Sequence, residues 1–291
     1  MSDQTIKLTV TRESAVAIIT LNRPACLNAI DLDLAIGLKE ALEEVADDPG
    51  VRAAIITGSG RAFCSGGDLK LALSVSPERP GEAFLELTRH LHACVRLLQS
   101  MPKPTLAAIN GPAAGAGFFL ALACDLRIMS ESAYLRQSNT RFGLTPPAGG
   151  SWLLPRLIGT ARALEMLFLD EPVSARLAQS WGLVNWTVPD DALRQSARSI
   201  AERMTRMPVH TLGRAKALLR ASGENPLNEH LDVERSTIAA SANTAEGLEG
   251  LHAFVEKRVP DYLATTDSVT TDVIPNPVRR PIGATAEGER C

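Results

Sequence analysis

Residues 110–125 are the part of the sequence best suited to chemistry, because a loop of small residues there connects a strand pattern to a helix pattern. The residues before them, 105–110, have the apolar pattern of a buried strand, and the run from Phe118 is typical of a buried helix. Small side chains let a ligand approach the backbone closely, and the first turn of a helix leaves N–H groups unpaired. The pattern predicts a site for developing negative charge, either an oxyanion hole or a phosphate-binding loop.

A second small-residue loop, at residues 58–70, follows another short strand pattern at residues 51–57. An oxyanion hole needs two converging N–H donors, and two separate loops could supply them. Neither loop has the third glycine of the dinucleotide fingerprint, and the phosphate-binding G-x-x-x-x-G-K-[ST] loop is absent from the sequence. An oxyanion hole is therefore favoured over nucleotide binding. The alternative is that both loops are only tight turns.

Composition narrows the classes of partner. The 291 residues carry a formal charge of −3 and 4% aromatic residues, which disfavours nucleic-acid binding. No apolar run reaches the roughly 18 residues of a membrane span, and the N-terminal residues have no apolar signal core. The five scattered cysteines indicate reduced thiols, and the five histidines have no metal-binding spacing. We expect a cytoplasmic protein without a metal site.

Alternating strand and helix patterns predict an α/β fold with parallel crossovers over residues 1–200. A hairpin is expected from strands near 6–10 and 16–21, and helices are expected near 31–46 and 84–99. The segment at 71–82 contains two prolines and a glycine, and we expect it to be mobile. Only helical patterns follow residue 192. These patterns predict a helical region at 201–263 and a disordered tail at 264–291.

The sequence resembles the crotonase family, also called the enoyl-CoA hydratase/isomerase superfamily. The matching stretches occur in the family's order: residues 21–24 with 27–30, then 61–70, 103–125, 149–159 and 245–260. Within the family, residues 115–117, 120–127 and 149–156 are most similar to the phenylacetate-pathway enoyl-CoA isomerases. The resemblance implies a spiral of ββα units with a helical C-terminal region for trimerisation, and trimers of this kind commonly pair into hexamers. It also implies an acyl-CoA substrate, with no cofactor other than the CoA of the substrate itself.

The resemblance assigns roles to particular residues. The backbone N–H groups of Gly67 and Ala116 match the family's two oxyanion donors. The residues expected to line the CoA channel are Cys64, Ser65, Gly66, Asp68 and Leu69. Phe254 and Lys257 match positions that close over CoA, although Lys257 could equally be a solvated charge at a helix end. Asp68 has the alternative role of a carboxylate that caps its own loop.

The chain departs from the family where hydratases and isomerases carry their catalytic carboxylates. Phe119 and Asn139 stand at the two glutamate positions of hydratases, and Pro147 stands at the aspartate position of the similar isomerases. These side chains cannot transfer protons at neutral pH. Asn139 could instead orient water or hydrogen-bond the substrate, with a plain structural amide as the alternative. Glu82, Glu86, His92 and Arg96 are further candidates on the segment that overlooks the family's acyl pocket, each with a plain packing or solvated role as the alternative.

Aromatic residues near these positions predict a pocket for a bulky apolar or aromatic acyl group. Phe118, Phe119 and Trp152 are its expected lining, and ordinary core packing is the alternative for each. Three functions follow from the sequence. The first is enoyl-CoA isomerase- or hydratase-like chemistry through a stabilised enolate. The second is decarboxylation or retro-aldol cleavage of a CoA thioester. The third is an inactive CoA-binding or assembly subunit.

Overall fold

The computed structural model describes residues 7–265, which form two compact units that divide after Gly213. The strands, all in the first unit, are β1 (Leu8–Glu13), β2 (Val16–Leu21), β3 (Ala53–Gly58), β4 (Thr105–Ile109), β5 (Ala113–Ala114), β6 (Leu126–Ser130), β7 (Tyr134–Arg136), β8 (Val173–Ser174) and β9 (Trp186–Val188). The helices of that unit are α1 (Leu32–Asp47), α2 (Leu69–Val75), α3 (Pro80–Ser100), α4 (Ala116–Ala123), α5 (Gly150–Leu169), α6 (Ala175–Ser180) and α7 (Leu193–Thr205). The boundary between the units falls within α8 (Val209–Ala221), and the second unit continues with α9 (Leu227–Ala242) and α10 (Ala245–Glu256).

A six-stranded sheet in the order β1-β2-β3-β4-β6-β9 positions the two loops of interest. The predicted hairpin of β1 and β2 is confirmed as an antiparallel pair, and β2, β3, β4, β6 and β9 are mutually parallel. Parallel strands end at the same edge of a sheet, which is where α/β proteins bind ligands. The loops that follow β3 and β4 therefore emerge side by side. A small second sheet pairs β5 with β7 and β7 with β8.

The two faces of the large sheet are covered by different helices. One face presents Ile19, Ile56 and Ala107 to a core that also contains the buried sides of α1, α3, α4 and α5. The other face presents Ile55 and Leu106 to a smaller cluster with α7. This alternation follows from the two-residue period of strands. Because α4 is buried on every side, it forms the centre of the first core rather than an amphipathic cover.

Local sequence explains where the helices begin. Asp31 accepts a hydrogen bond from the backbone N–H of Leu34 at 2.8 Å and so caps α1, which occupies the predicted span. Most of the segment expected to be mobile, 71–82, lies in helices, because α2 covers Leu69–Val75 and α3 begins at Pro80, and its mobility stays a prediction. Proline suits the first turn of a helix, where its missing N–H would have no partner. That proline marks a helix start rather than a break.

Two further features extend the sequence-based picture. Helix α5 begins at Gly150 and continues to Leu169 through a kink at Gly159, whose φ is +77°. Beyond residue 192 every regular element that the structure describes is a helix, as the sequence predicts. The predicted tail at 264–291 lies outside the described residues except for its first two positions. None of the helices that the structure describes is long and apolar enough to span a membrane.

Candidate active site

The loop after β3 presents the N–H of Gly67 without a protein acceptor. Ile30 holds this loop from both sides, because its N–H donates to the Gly66 carbonyl at 2.7 Å and its carbonyl accepts from Asp68 at 2.9 Å. These bonds are the two halves of a parallel bridge between Ile30 and Gly67. The Gly67 N–H consequently points away from Ile30, and no acceptor for it exists within residues 7–265.

The loop after β4 presents a second unpaired N–H, that of Ala116. Gly115 stands before α4 with φ +50°, and its N–H donates to the Arg136 carbonyl at 3.0 Å. Phe119 is the first residue of α4 whose N–H finds an intrahelical acceptor, the carbonyl of Gly115 at 3.1 Å. In the described part of the chain the Ala116 N–H has no partner, as expected at a helix N-terminus.

The two loops are in direct contact because Gly66 has no side chain. Its φ is +103°, and a Cβ there would lie 3.1 Å from the Ala114 carbonyl oxygen and 3.4 Å from the Ala116 nitrogen. Ala114 also donates its N–H to the Cys64 carbonyl at 2.9 Å, which ties the loops together. The structure therefore brings Gly67 and Ala116, the two sequence-predicted donors, to neighbouring loops with both N–H groups unpaired.

Asn28 supports this arrangement, a role that its local sequence does not indicate. It is fully buried, and its Oδ1 accepts the Arg23 N–H at 2.8 Å. Its Nδ2 lies 2.8 Å from the Ala62 carbonyl oxygen and 3.2 Å from that of Phe63, so it donates into the loop that leads to Gly67. Buried polar groups need such partners. An asparagine in a loop usually signals a turn, and only the fold shows that this one joins distant segments.

Asn139 places an unpaired acceptor beside the second loop. Its Oδ1 is buried without a hydrogen-bond partner in residues 7–265, and it would lie 3.4 Å from a Cβ at Gly115. The neighbouring backbone is fixed by Asp170, whose Oδ1 accepts the Ser138 N–H at 2.7 Å and the Gln137 Nε2 at 3.1 Å. An unsatisfied buried acceptor is costly, so its presence next to the donors suits a group that receives a hydrogen bond from a ligand.

The aromatic residues predicted to line the acyl pocket differ in their exposure. The side chains of Phe118 and Phe119 are fully buried, with ring centroids 5.1 Å apart. The Phe119 ring lies against Gly150, where a Cβ would come within 2.6 Å of its atoms. These rings therefore pack as core rather than as the lining of an open acyl pocket. Trp152 is 41% exposed, and the Arg156 guanidinium stacks 3.9 Å from its ring centroid.

The predicted CoA-channel residues differ in accessibility. Cys64 is fully buried, its Sγ donates to the Asn28 carbonyl, and burial raises its pKa to about 12. Its side chain therefore cannot line a channel, in contrast to the expectation. Asp68 caps α2 by accepting the Leu71 N–H at 3.2 Å, and it pairs with Arg23 at 3.2 Å. These contacts agree with the alternative role of Asp68, that of a carboxylate that caps its own loop.

Other members of the predicted set keep some exposure. Ser65, Leu69 and Pro147 are half-buried. In the second unit, Phe254 is 83% exposed on α10, and Lys257 is an exposed residue with φ +55° that ends this helix. Within the part of the chain that the structure describes, no group of histidine, cysteine, aspartate and glutamate side chains is arranged to hold a metal ion.

The acidic candidates on α3 are paired at the surface, whereas His92 is not. Glu86 is exposed and bonded to Arg89, and this bond lowers the pKa of Glu86. Glu82 pairs with Arg79 at 3.2 Å. His92 instead turns inward, and its Nε2 lies 3.1 Å from the backbone nitrogen of Ala148. The histidine is therefore the titratable candidate that contacts a loop of the site.

Comparison with known proteins gives one family. The model of the enoyl-CoA hydratase/isomerase family matches residues 11–265. The chain is 37% identical over 251 residues to the 1,2-epoxyphenylacetyl-CoA isomerase of Escherichia coli, covering 86% of this chain and 95% of that protein. It is also 37% identical over 257 residues to the 2,3-dehydroadipyl-CoA hydratase of Escherichia coli, covering 88% and 98%.

Solved structures agree with the sequence comparison. The crystal structure of an enoyl-CoA hydratase from Polaromonas has a TM-score of 0.83 and 33% identity, covering 87% of this chain and 98% of that one. The enoyl-CoA hydratase from Bacillus anthracis has a TM-score of 0.81 and 35% identity, covering 88% and 98%. The predicted fold, an α/β crotonase core with a helical C-terminal region, is confirmed by these matches. The chain belongs to the crotonase, or enoyl-CoA hydratase/isomerase, family and is an enzyme of that family.

Proposed function

We propose that this enzyme binds an acyl-CoA thioester with the carbonyl oxygen between the N–H groups of Gly67 and Ala116. The observation that carries the proposal is that both N–H groups lie on touching loops and lack acceptors within the described residues. An enolate formed next to a thioester places negative charge on that oxygen. Fixed backbone donors stabilise such charge without reorganisation, and removing one typically costs about 3–4 kcal/mol of barrier.

Enoyl-CoA isomerase- or hydratase-like chemistry is the reaction class we favour. In this scheme Asn139 accepts a hydrogen bond from the substrate or from a bound water, because its Oδ1 has no other partner in residues 7–265. Ser65, Gly66, Leu69 and Pro147 contribute backbone or half-buried surface to the acyl-CoA site. The reaction needs no cofactor apart from the CoA of the substrate. Phe254 and Lys257, the family's CoA-contacting positions, are both exposed on the second unit and are therefore accessible to a ligand.

Decarboxylation of a CoA thioester is a second candidate, and one observation favours it. The positions at which the family carries catalytic carboxylates hold Phe119, Asn139 and Pro147, and Phe119 is locked into the core against Gly150. Loss of CO₂ from a β-carboxylate generates the enolate directly. That reaction therefore depends on the two N–H donors more than on a general base.

Assembly into a homotrimer or hexamer in the cytoplasm completes the proposal. The second unit exposes large apolar side chains on each of its helices, and such surface commonly marks an interface. The most exposed are Leu219, Leu227, Ile238, Phe254 and Val255. Light scattering coupled to size-exclusion chromatography gives the mass of the assembly. A monomer at micromolar concentration would contradict this part of the proposal.

Turnover of a substrate panel tests the function. Enoyl-, β-hydroxyacyl- and malonyl-type CoA thioesters are supplied without added metal or cofactor, and their binding is measured in parallel by calorimetry. Turnover of enoyl-CoA supports the favoured class, and turnover of malonyl-type thioesters alone supports the second. Binding without any turnover would identify an inactive CoA-binding subunit, and no binding would refute the acyl-CoA proposal.

A variant of the first donor tests the site. The change Gly67→Pro removes the N–H, and we expect kcat to fall about 10²–10³-fold. Circular dichroism and thermal unfolding serve as the control for folding. A folded Gly67→Pro variant with undiminished kcat would show that this N–H does not contact the developing charge.

A further inference from the structure

The contact between His92 and Ala148 joins a titratable ring to an unusual turn. His92 Nε2 accepts the N–H of Ala148 at a nitrogen–nitrogen distance of 3.1 Å. A neutral imidazole that accepts at Nε2 carries its proton on Nδ1. Ala148 has φ +52°, which is uncommon for a residue other than glycine. The histidine therefore stabilises a backbone conformation that alanine does not favour.

Helix α3 contacts both this turn and the loop that carries the first proposed oxyanion donor, Gly67. Leu87 Cδ2 would lie 3.7 Å from a Cβ at Gly67, and Val95 Cγ1 would lie 3.5 Å from one at Gly149. His92 is five residues beyond Leu87, a rise of about 7.5 Å along the helix. Helix α3 thus contacts the Gly67 loop through Leu87, and it contacts the turn that contains Ala148 through His92 and Val95.

Helix α4 makes the same connection from the side of the second donor. Its first residue is Ala116, and the ring of Phe119, one turn later, packs on Gly150. The carbonyl of Pro147 accepts the Gly150 N–H at 2.9 Å, which closes the turn. Pro147 occupies the position at which similar isomerases carry their catalytic aspartate. The turn is therefore fixed against the two helices that frame both donors.

The surroundings of His92 favour its neutral form. Burial lowers the pKa of His92 below its ordinary 6.5, and the positive charge of Arg96 on the same helix lowers it further. The turn at 144–150 and helix α4 contain no ionisable side chain. On α1 the charges of Lys39 and Glu43 act on Cys94 rather than on His92, and Lys70 on α2 is exposed.

We propose that neutral His92 is a positioning residue of the acyl site, which holds the turn at 147–149 in its working conformation and releases it when protonated. The inference rests on the proposed function, because it assumes that the turn borders the bound acyl group. Protonation converts Nε2 from an acceptor into a donor, so the bond to the Ala148 N–H is lost. The bond is present above the folded-state pKa of His92 and disappears as the pH falls through it.

Three variants separate positioning from other roles. His92→Gln keeps an acceptor of similar reach but cannot titrate, His92→Leu removes the acceptor, and His90→Gln is the control. His90 lies on the same helix and contacts Glu86 and Arg89 instead of the turn. We expect the kcat/KM of the wild type to decline below pH 6.5. The kcat/KM of His92→Gln should stay within about threefold of the wild-type value at pH 8 and should not show that decline. The kcat/KM of His92→Leu should be about tenfold lower at every pH, because one hydrogen bond is lost.

Hydrogen exchange of the peptide that contains Ala148 provides a readout independent of activity. At fixed pH, the Ala148 amide is expected to be protected in the wild type and in His92→Gln, and to exchange faster in His92→Leu. A pH decline that persists unchanged in His92→Gln would overturn the proposal. So would a loss of 10²-fold or more in both His92 variants, which would make His92 a catalytic residue. Failure of the proposed function is distinguishable, because the wild type would then bind no acyl-CoA in calorimetry while the exchange pattern of the turn persisted.

Discussion

Adding a methyl group at Gly117 tests whether the contact between the two loops sets the geometry of the oxyanion hole. Gly117 is the second residue of α4, directly after the proposed donor Ala116. A Cβ at Gly117 would lie 2.5 Å from the Cβ, Sγ and backbone oxygen of Cys64. Cys64 precedes Gly67 by three residues on the other loop, and its carbonyl accepts the Ala114 N–H. The change Gly117→Ala therefore forces the loops apart at their junction.

The size of the effect follows from two opposing terms. Replacing glycine by alanine in a helix increases the free energy of unfolding by about 0.5–1 kcal/mol, chiefly because the unfolded chain has less conformational freedom to lose. Overpacking a core costs about 1–3 kcal/mol, and the upper end applies here because the Cys64 Cβ and backbone oxygen cannot rotate away. We expect a net loss of about 2–2.5 kcal/mol in the free energy of unfolding. A displacement of about 1 Å at a catalytic group costs about 10²-fold in rate, so kcat/KM should fall by that factor.

Urea denaturation and steady-state kinetics measure both effects on the same preparations. Gly37→Ala is the matched control, because Gly37 lies inside α1 and a Cβ there meets no atom within 4 Å. That control should gain about 0.5–1 kcal/mol in the free energy of unfolding and keep its kcat/KM. A Gly117→Ala variant with wild-type stability and wild-type kcat/KM would refute the claim that this junction sets the site.

Two further predictions concern the buried cysteine thiols and the carboxylate of Asp170, which holds the segment that leads to Asn139. Burial raises the pKa of both Cys64 and Cys94 to about 12. Iodoacetamide at pH 8 should therefore leave both thiols unmodified until the protein is denatured. The half-buried Cys26 should react first. Peptide mass spectrometry measures this, and labelling of Cys64 in the folded enzyme would contradict the buried position. Replacing Asp170 by alanine leaves the Ser138 N–H without its acceptor, and we expect a loss of about 1–3 kcal/mol in the free energy of unfolding. Thermal or urea unfolding tests it, and unchanged stability would show that this carboxylate does not support the segment.

The sequence predicts the framework of the fold where local signals are strong. Asp31 before leucines at helical spacing predicts α1, and apolar runs followed by small residues predict β3 and β4 with their loops. Helix α2 escapes prediction because the prolines near it suggest a break, while the actual start signal is the side chain of Asp68. Strands of only two residues, such as β5 and β8, are too short to show the alternation of apolar and polar residues by which a strand is recognised.

The candidate site likewise has some features that the sequence predicts and others that depend on the fold. The loops of Gly67 and Ala116 are visible in sequence because small residues follow strands in both places. The burial of Phe119 is not visible, since it depends on the absence of a side chain at Gly150, 31 positions away in the chain. Asn28 and His92 act through backbone groups of distant segments, and such partners are defined only by the fold.

A structure of the enzyme with an unreactive acyl-CoA thioester analogue would show whether the two backbone N–H groups bind the thioester carbonyl oxygen. The quantities to measure are the distances from the thioester carbonyl oxygen to the backbone nitrogens of Gly67 and Ala116. We predict that both distances are about 2.7–3.1 Å, as for other oxyanion donors. A carbonyl oxygen bound elsewhere, or one that contacts neither nitrogen, would contradict it.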